Sequence, residues 1–249
     1  TNPYNISIAG SNNQILGLAT LAHTGTTIIG NLNSSTTLVS SGISETGGGG
    51  FIAQGSIVSG GGINLISSFM VGGNNIGLVS LDLGQDSVFS GVLLVQANER
   101  ITKTGAGGLR LVTNTGSAFQ GSFVVNLGTV TVVDDFSSIL STTISGGAIA
   151  GTGVLGQIYG LSGSILPGDN VGTLNVGTTS LNSLMTFGLQ VGTVSGISDQ
   201  LSVTGLVSLN NALLTVTPGQ NLVVGNVFTI ISNNATDAVS GTFINQPQG

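Results

Sequence analysis

The chain has 249 residues, of which 42 are Gly, 5% are charged and 4% are aromatic, with a formal net charge of -6. Ordinary soluble domains carry about 25% charged residues and about 7% Gly, which sets this chain apart from a common cytosolic enzyme, while an apolar share of 40% separates it from disordered chains, which pair low hydrophobicity with high charge. Three Lys and Arg in total exclude a nucleic-acid surface, which depends on clustered cations that displace counterions.

The absence of Cys removes both a disulfide framework and a thiolate metal site. No apolar run approaches the roughly 20 residues of a membrane-spanning helix, so no membrane insertion is expected. The opening "TNPYNISIAG" has neither a basic nor an apolar leader region. With its low charge and abundant Thr, Asn and Gly, the sequence reads as a mature exported chain, expected outside the cell or on its surface.

Residues 1–80 are read as an N-terminal β region forming the first coils of the fold. "YNISIAG" places Ile6 and Ile8 on one face of a strand. His23 is expected in a solvated loop. The glycine runs 47–50 and 60–62 lack the Lys-Ser/Thr of a phosphate loop and read as corners. No Asp follows the first run, so it is not a Gly-rich calcium repeat either.

Residues 81–177 read as the repeat-type part. "SLDLGQDSVFSGVLLVQ" and "SFVVNLGTVTVV" alternate apolar and polar residues between Gly or Asn punctuation, and no helix-length amphipathic segment separates them. Period two with Gly corners means strands. "GTVTVV" at 128–133 and "GTLNVG" at 172–177 restate one unit, a Gly corner followed by an alternating strand. Such recurrence every roughly 20–30 residues is the mark of a solenoid, in which each coil buries its apolar side by stacking on its neighbours. Inward positions are expected to be apolar and outward ones Thr, Ser and Asn. The class is therefore all-β, a parallel β-helix of about ten coils and roughly 45–50 Å.

Residues 178–249 form the C-terminal β-strand region or cap. "DQLSVTGLVSLNNALLTVTPG" alternates more regularly, which also suits a sandwich-like arrangement.

Every Lys and Arg lies in "ERITKTGAGGLRLV", as Arg100, Lys103 and Arg110. Residues 81–133, which contain this stretch, resemble the autotransporter-associated β-strand repeat. Thr102, Lys103, Thr104, Gly105, Ala106 and Gly107 stand in its Thr-Lys-Thr-Gly-Ala-Gly core, followed by "FQG" at 119–121 and "NLGTV" at 126–130. "GTGVLGQIYGLSGSILPGDNVGTLNVG" and the end of the chain are similar to the segments that follow in such proteins, so the resemblance spans residues 81–249. It implies a surface-exposed or secreted bacterial β-helix without catalytic residues. Lys103 then belongs to a structural signature at a solenoid corner rather than to an anion site.

The resemblance also implies further strands after "GTFINQPQG", hence an unpaired edge, and unpaired edges are templates for another chain. Tyr4, Ile6 and Ile8 at one end, with Phe243 and Ile244 at the other, are the residues expected to join copies head to tail by strand addition.

Catalysis is not expected, and neither is a cofactor or bound metal. Of the nine carboxylates, the adjacent Asp134 and Asp135 point to opposite faces of a strand unless a turn intervenes. Asp82 and Asp86 lack the dense oxygen ligands of a calcium loop. Two roles remain open: a self-assembling structural fibre subunit, its partner a second copy of itself, and an adhesin-like passenger binding glycans or other surface proteins. With no Trp and only two Tyr, rings on which sugars could stack are scarce, which favours the first. A polysaccharide-active enzyme is third.

Overall fold

A computed structural model describes residues 3–30, 36–47, 49–66, 69–71, 78–112, 118–192, 196–234, 237–244 and 246. Among the described residues there is no helix, and short strands stack in parallel ladders as a β-solenoid. Alternating runs of three to six residues are too short to close a sheet with their sequence neighbours. Each run pairs with its equivalent one coil away, which buries its apolar side.

Three columns result. The first contains Ile6–Ile8, Thr27–Ile29, Phe51–Ala53, Phe69–Val71, Leu93–Val95 and Ala118–Phe119. The second runs from Asn12–Ile15 through Thr36–Val39, Gly55–Ser59, Leu78–Leu83 and Arg100–Thr104 to Ser122–Val125. Ala19–Leu21, Ile43–Glu45, Ile63–Leu65, Ser87–Phe89, Leu109–Leu111 and Thr129–Val132 make the third. The long strands Asp135–Gly151 and Val154–Pro167 then pair with each other through all three directions, as Asp135 with Val154, Thr142 with Ile158 and Ala148 with Ser164.

The stacking continues beyond residue 178 without changing direction. Thr179 pairs with Val207, Val207 with Val239, and Thr186 with Leu213, all in parallel. The C-terminal part is thus solenoid and not sandwich. Alternation shows which face of a strand is buried, but it does not show the direction of the partner. The ladder also crosses residue 80, where Val79 pairs with both Gly55 and Ile101, and residue 177, where Ile158 pairs with Thr179.

Coil length is not constant. Ile101 lies over Val79 after 22 residues, Thr142 under Ile158 after 16, and Val207 under Val239 after 32. In the short coil the corners shrink to register shifts between Ile144 and Ala148, where Gly146 has a φ of 146°. The long C-terminal coils turn instead through Asn210 and Asn211, left-handed at φ 46° and 62°. Asn tolerates that region because its side chain bonds locally.

The core is a set of inward ladders. Phe51, Phe69 and Phe89 form a stack with ring centroids 5.8 and 4.9 Å apart, and Val79, Ile101, Phe123, Thr142 and Ile158 follow one another in register. Phe69→Ala is expected to cost about 3–5 kcal/mol in urea unfolding, because a close-packed stack collapses poorly around the gap. The outward Thr143→Val should stay within about 0.5 kcal/mol.

Candidate functional site

Lys103 is in the middle of this core. Its strand, Arg100–Thr104, is buried at alternate positions, and in register Lys103 falls between Leu81 and Val125 with no solvent exposure. The ammonium runs along the lumen to the corner and donates to the carbonyls of Thr104 at 2.8 Å, Gly105 at 2.8 Å and Leu127 at 3.1 Å. Three N–H donors therefore meet three carbonyls, two in its own coil and one in the next. The expectation of purely apolar inward positions fails here, because the corner carbonyls need a donor that no strand supplies. Lys103 is likewise an inward strand residue that caps a corner and not a corner residue itself.

The rest of the signature is built around this amine. Gly105 and Gly128 adopt left-handed φ values of 76° and 71°. A Cβ on Gly128 would approach the Lys103 Nζ to 2.7 Å, and one on Gly107 would run into the backbone of Gln85. Thr102 is half-buried on the outer side, and the Thr104 hydroxyl donates to the Leu81 carbonyl at 3.4 Å. Burial lowers the Lys103 pKa to about 8, against the opposing pull of Asp82 and Asp86. Asp86 itself accepts from the Gly108 N–H at 2.7 Å.

Three carboxylates play the reciprocal role, and sequence reasoning gave none of them this role. Asp199 accepts from Gly172 N–H at 2.9 Å and Gln190 N–H at 2.6 Å, tying the turn after Pro167 to the strand Met185–Val191. Glu45 accepts from Ile66 N–H at 3.0 Å and Glu99 from Gln96 N–H at 2.7 Å. All three are buried. Burial raises the Asp199 pKa, while its two N–H donors pull the other way.

The remaining cations and acids diverge. Arg100 is exposed, and Arg110 pairs with Asp169 at 2.9 Å across the outer surface. No basic cluster forms. The Asp135 carboxylate accepts from Ser137 N–H at 2.8 Å, and the Ser137 hydroxyl and N–H lower its pKa. Among the described residues no group of three or more His, Cys, Asp or Glu is placed to hold a metal ion.

His23 is buried at 2% exposure, not solvated. Its Nε2 is 2.8 Å from the Thr27 hydroxyl, and Tyr4 stacks on the ring with centroids 5.2 Å apart. The loop that carries it, between Ala19–Leu21 and Thr27–Ile29, turns its ring inward and lies between Tyr4 and the backbone at Gly47.

The residues expected to join copies lie at opposite ends. Ile6 and Ile8 are half-buried on the strand pairing with Thr27–Ile29, and Tyr4 is exposed. Phe243 is buried against Phe187, centroids 5.8 Å apart, while Ile244 is exposed and its N–H donates to Ala212. The N-terminal strand is thus already built into the first coil by one edge. Along the outside of the third column run two shallow grooves whose linings mix polar and apolar groups. One, of about 540 Å³, is bordered by Asp86, Arg110, Thr129 and Thr131, and the other, of about 340 Å³, by Asp169, Gln190, Thr215 and Thr217.

No protein-family model matches the sequence, and no curated protein is significantly similar to it.

Gly128→Ala is expected to cost about 1–3 kcal/mol from left-handed strain alone, and Asp199→Ala about 1–3 kcal/mol for each N–H left unpaired; chemical unfolding measures both. The folded-state pKa of Lys103 lies below its ordinary 10.5, so between about pH 8 and 10.5 the unfolded chain binds more protons at this residue. Unfolding free energy of the native protein should therefore rise across that window relative to Lys103→Met.

Proposed function

We propose that this chain is the rigid shaft of an extracellular structural protein whose rods join head to tail, the parallel ladders of one continuing into the next by strand addition. The observation that carries this reading is the matching order of the end strands. The three columns start with Ile6–Ile8, Asn12–Ile15 and Ala19–Leu21. They close with Ile231–Asn233, Val239–Ser240 and the segment around Phe243 and Ile244, in the same chain order.

Both ends present apolar residues packed on the core from one side only. Ile6, Ile8, Ile15 and Ala19 are half-buried at the first coil, as are Leu222, Phe228, Ile230 and Ile231 at the last. A second copy stacked in register would bury them and pair the free strand edges. The scarcity of charge supports the same reading, because buried ionisable groups are used up in corner capping. So does the similarity of residues 81–249 to surface-protein repeats, which also motivates the extracellular and bacterial assignment.

A second reading, a glycan-binding adhesin, is favoured by one observation: the grooves on the third column follow the rod axis and carry hydroxyls beside Arg110 and Asp169, among apolar residues.

Electron microscopy of the native protein and of variants lacking residues 1–10 or carrying Ile8→Lys tests the first reading. Regular filaments in the native sample that are lost in both variants are expected. Monodisperse rods in all three reject end-to-end assembly, and glycan-array binding lost in Arg110→Ala would then establish the adhesin.

A further inference from the structure

We infer that the first coil carries an acid-operated latch: when the imidazole of His23 gains a proton, residues 4–8 come away from the rod. His23 is the only histidine of the chain, and histidine is the side chain whose charge ordinarily changes between about pH 5 and 8.

The surroundings of the ring suit its neutral form alone. His23 is 2% exposed, its Nε2 lies 2.8 Å from the Thr27 hydroxyl, and its buried Nδ1 has no hydrogen-bond partner among the described residues. The Thr142 hydroxyl is buried unpaired as well, but a hydroxyl does not change its charge near neutral pH. A neutral imidazole carries one N–H, which the Thr27 oxygen can accept from Nε2, whereas the imidazolium carries two. The second N–H would be buried without an acceptor, and a charge would be buried with it. Lys103 shows the contrast, since its buried ammonium finds three carbonyls.

Two titratable groups stand on the elements packed against the ring. Tyr4 stacks on it, and Tyr is neutral in this range. Glu45 lies in register with Leu21 on the next coil, and it accepts from the Ile66 N–H on the side away from His23. Below the ring the backbone at Gly47 fits so closely that a Cβ there would collide with the His23 main chain. The charged ring therefore reaches water only if the loop at 22–26 opens outward.

Opening that loop undoes the attachment of the N-terminal segment. Tyr4 rests on the ring, Asn5 Oδ1 accepts from the Thr26 N–H at 2.8 Å, and the Ile6 N–H donates to the Thr26 carbonyl at 2.9 Å. Ile6–Ile8 is the outermost strand of its column and pairs with Thr27–Ile29 alone. The open coil binds a proton that the closed coil excludes, so closure weakens as pH falls through the ordinary imidazole range. The latch needs only the first coil and stands whether or not rods join end to end.

Hydrogen exchange of the native protein, read by mass spectrometry at about pH 7.5 and 5.5 and corrected for intrinsic rates, tests the latch above the ordinary carboxylate range. For one proton on an imidazole that titrates near 6.5 in the open coil, protection of residues 4–8 and 22–29 should fall about ten-fold between these values. Protection of Asp135–Gly151 should not change. In His23→Phe and His23→Gln the first coil should be equally protected at both pH values. A loss below about five-fold, an equal loss in Asp135–Gly151, or a loss that persists in either variant would overturn the inference. Should the variants fail to close the first coil at all, NMR of the single native imidazole decides. Its protonation must run in step with the loss of protection, and a ring that charges while residues 4–8 stay protected also overturns the inference.

Discussion

The backbone groups at the corners constrain everything else in this molecule. A coil of 16 to 32 residues must turn repeatedly while staying stacked on its neighbours, and each turn leaves carbonyls and N–H groups without a strand partner. Buried and unpaired, each such group costs free energy. The chain answers with charged side chains turned inward. Lys103 supplies donors to three carbonyls, while Asp199, Glu45 and Glu99 supply acceptors to N–H groups. Four of the twelve charged residues are thus spent inside. Burying a charge is tolerable here because each is held by charge-assisted hydrogen bonds.

The same constraint explains what was legible beforehand. Period-two runs with Gly corners gave the all-β solenoid, because alternation and corner geometry are local properties. Strand direction after residue 178 was not legible, since pairing Thr179 with Val207 is a long-range choice. The inward charges were in fact visible to parity. Glu45 lies two residues after buried Ile43, Glu99 two before Ile101, Lys103 two after it, and Asp199 two before Leu201. Assigning polarity by residue type instead of position hid them. His23 carried the same signal, two residues after buried Leu21, and its partners are the nearby Thr27 hydroxyl and the Tyr4 ring from the preceding coil.

Parallel stacking also changes what a single outward residue means. In a solenoid one position per coil becomes a line of like positions about 4.8 Å apart, so a local preference becomes a property of a whole face. The first column shows a line of apolar side chains, the second mixes hydroxyls with Leu38, Val58 and Val124, and the third carries the Arg110–Asp169 pair beside its grooves. Three faces of different chemistry on one rod allow a scaffold to make several contacts without any convergent site. That suits a chain whose ionisable groups are dispersed or buried.

Ends and middle differ in the other respect that matters for assembly. Asp135–Gly151 and Val154–Pro167 pair almost continuously, with corners reduced to bulges. The terminal coils are stacked on one side only, and the last carries long loops with exposed Val223, Val224 and Val227. In a stack whose stability is a sum of nearest-neighbour terms, the middle holds and the ends open first. An end-to-end contact would act on these weakest coils, giving each a second neighbour. Assembly and terminal order would then be linked by mass action: rods that associate at their ends become more stable there, and protein concentration itself would set how well those coils are folded.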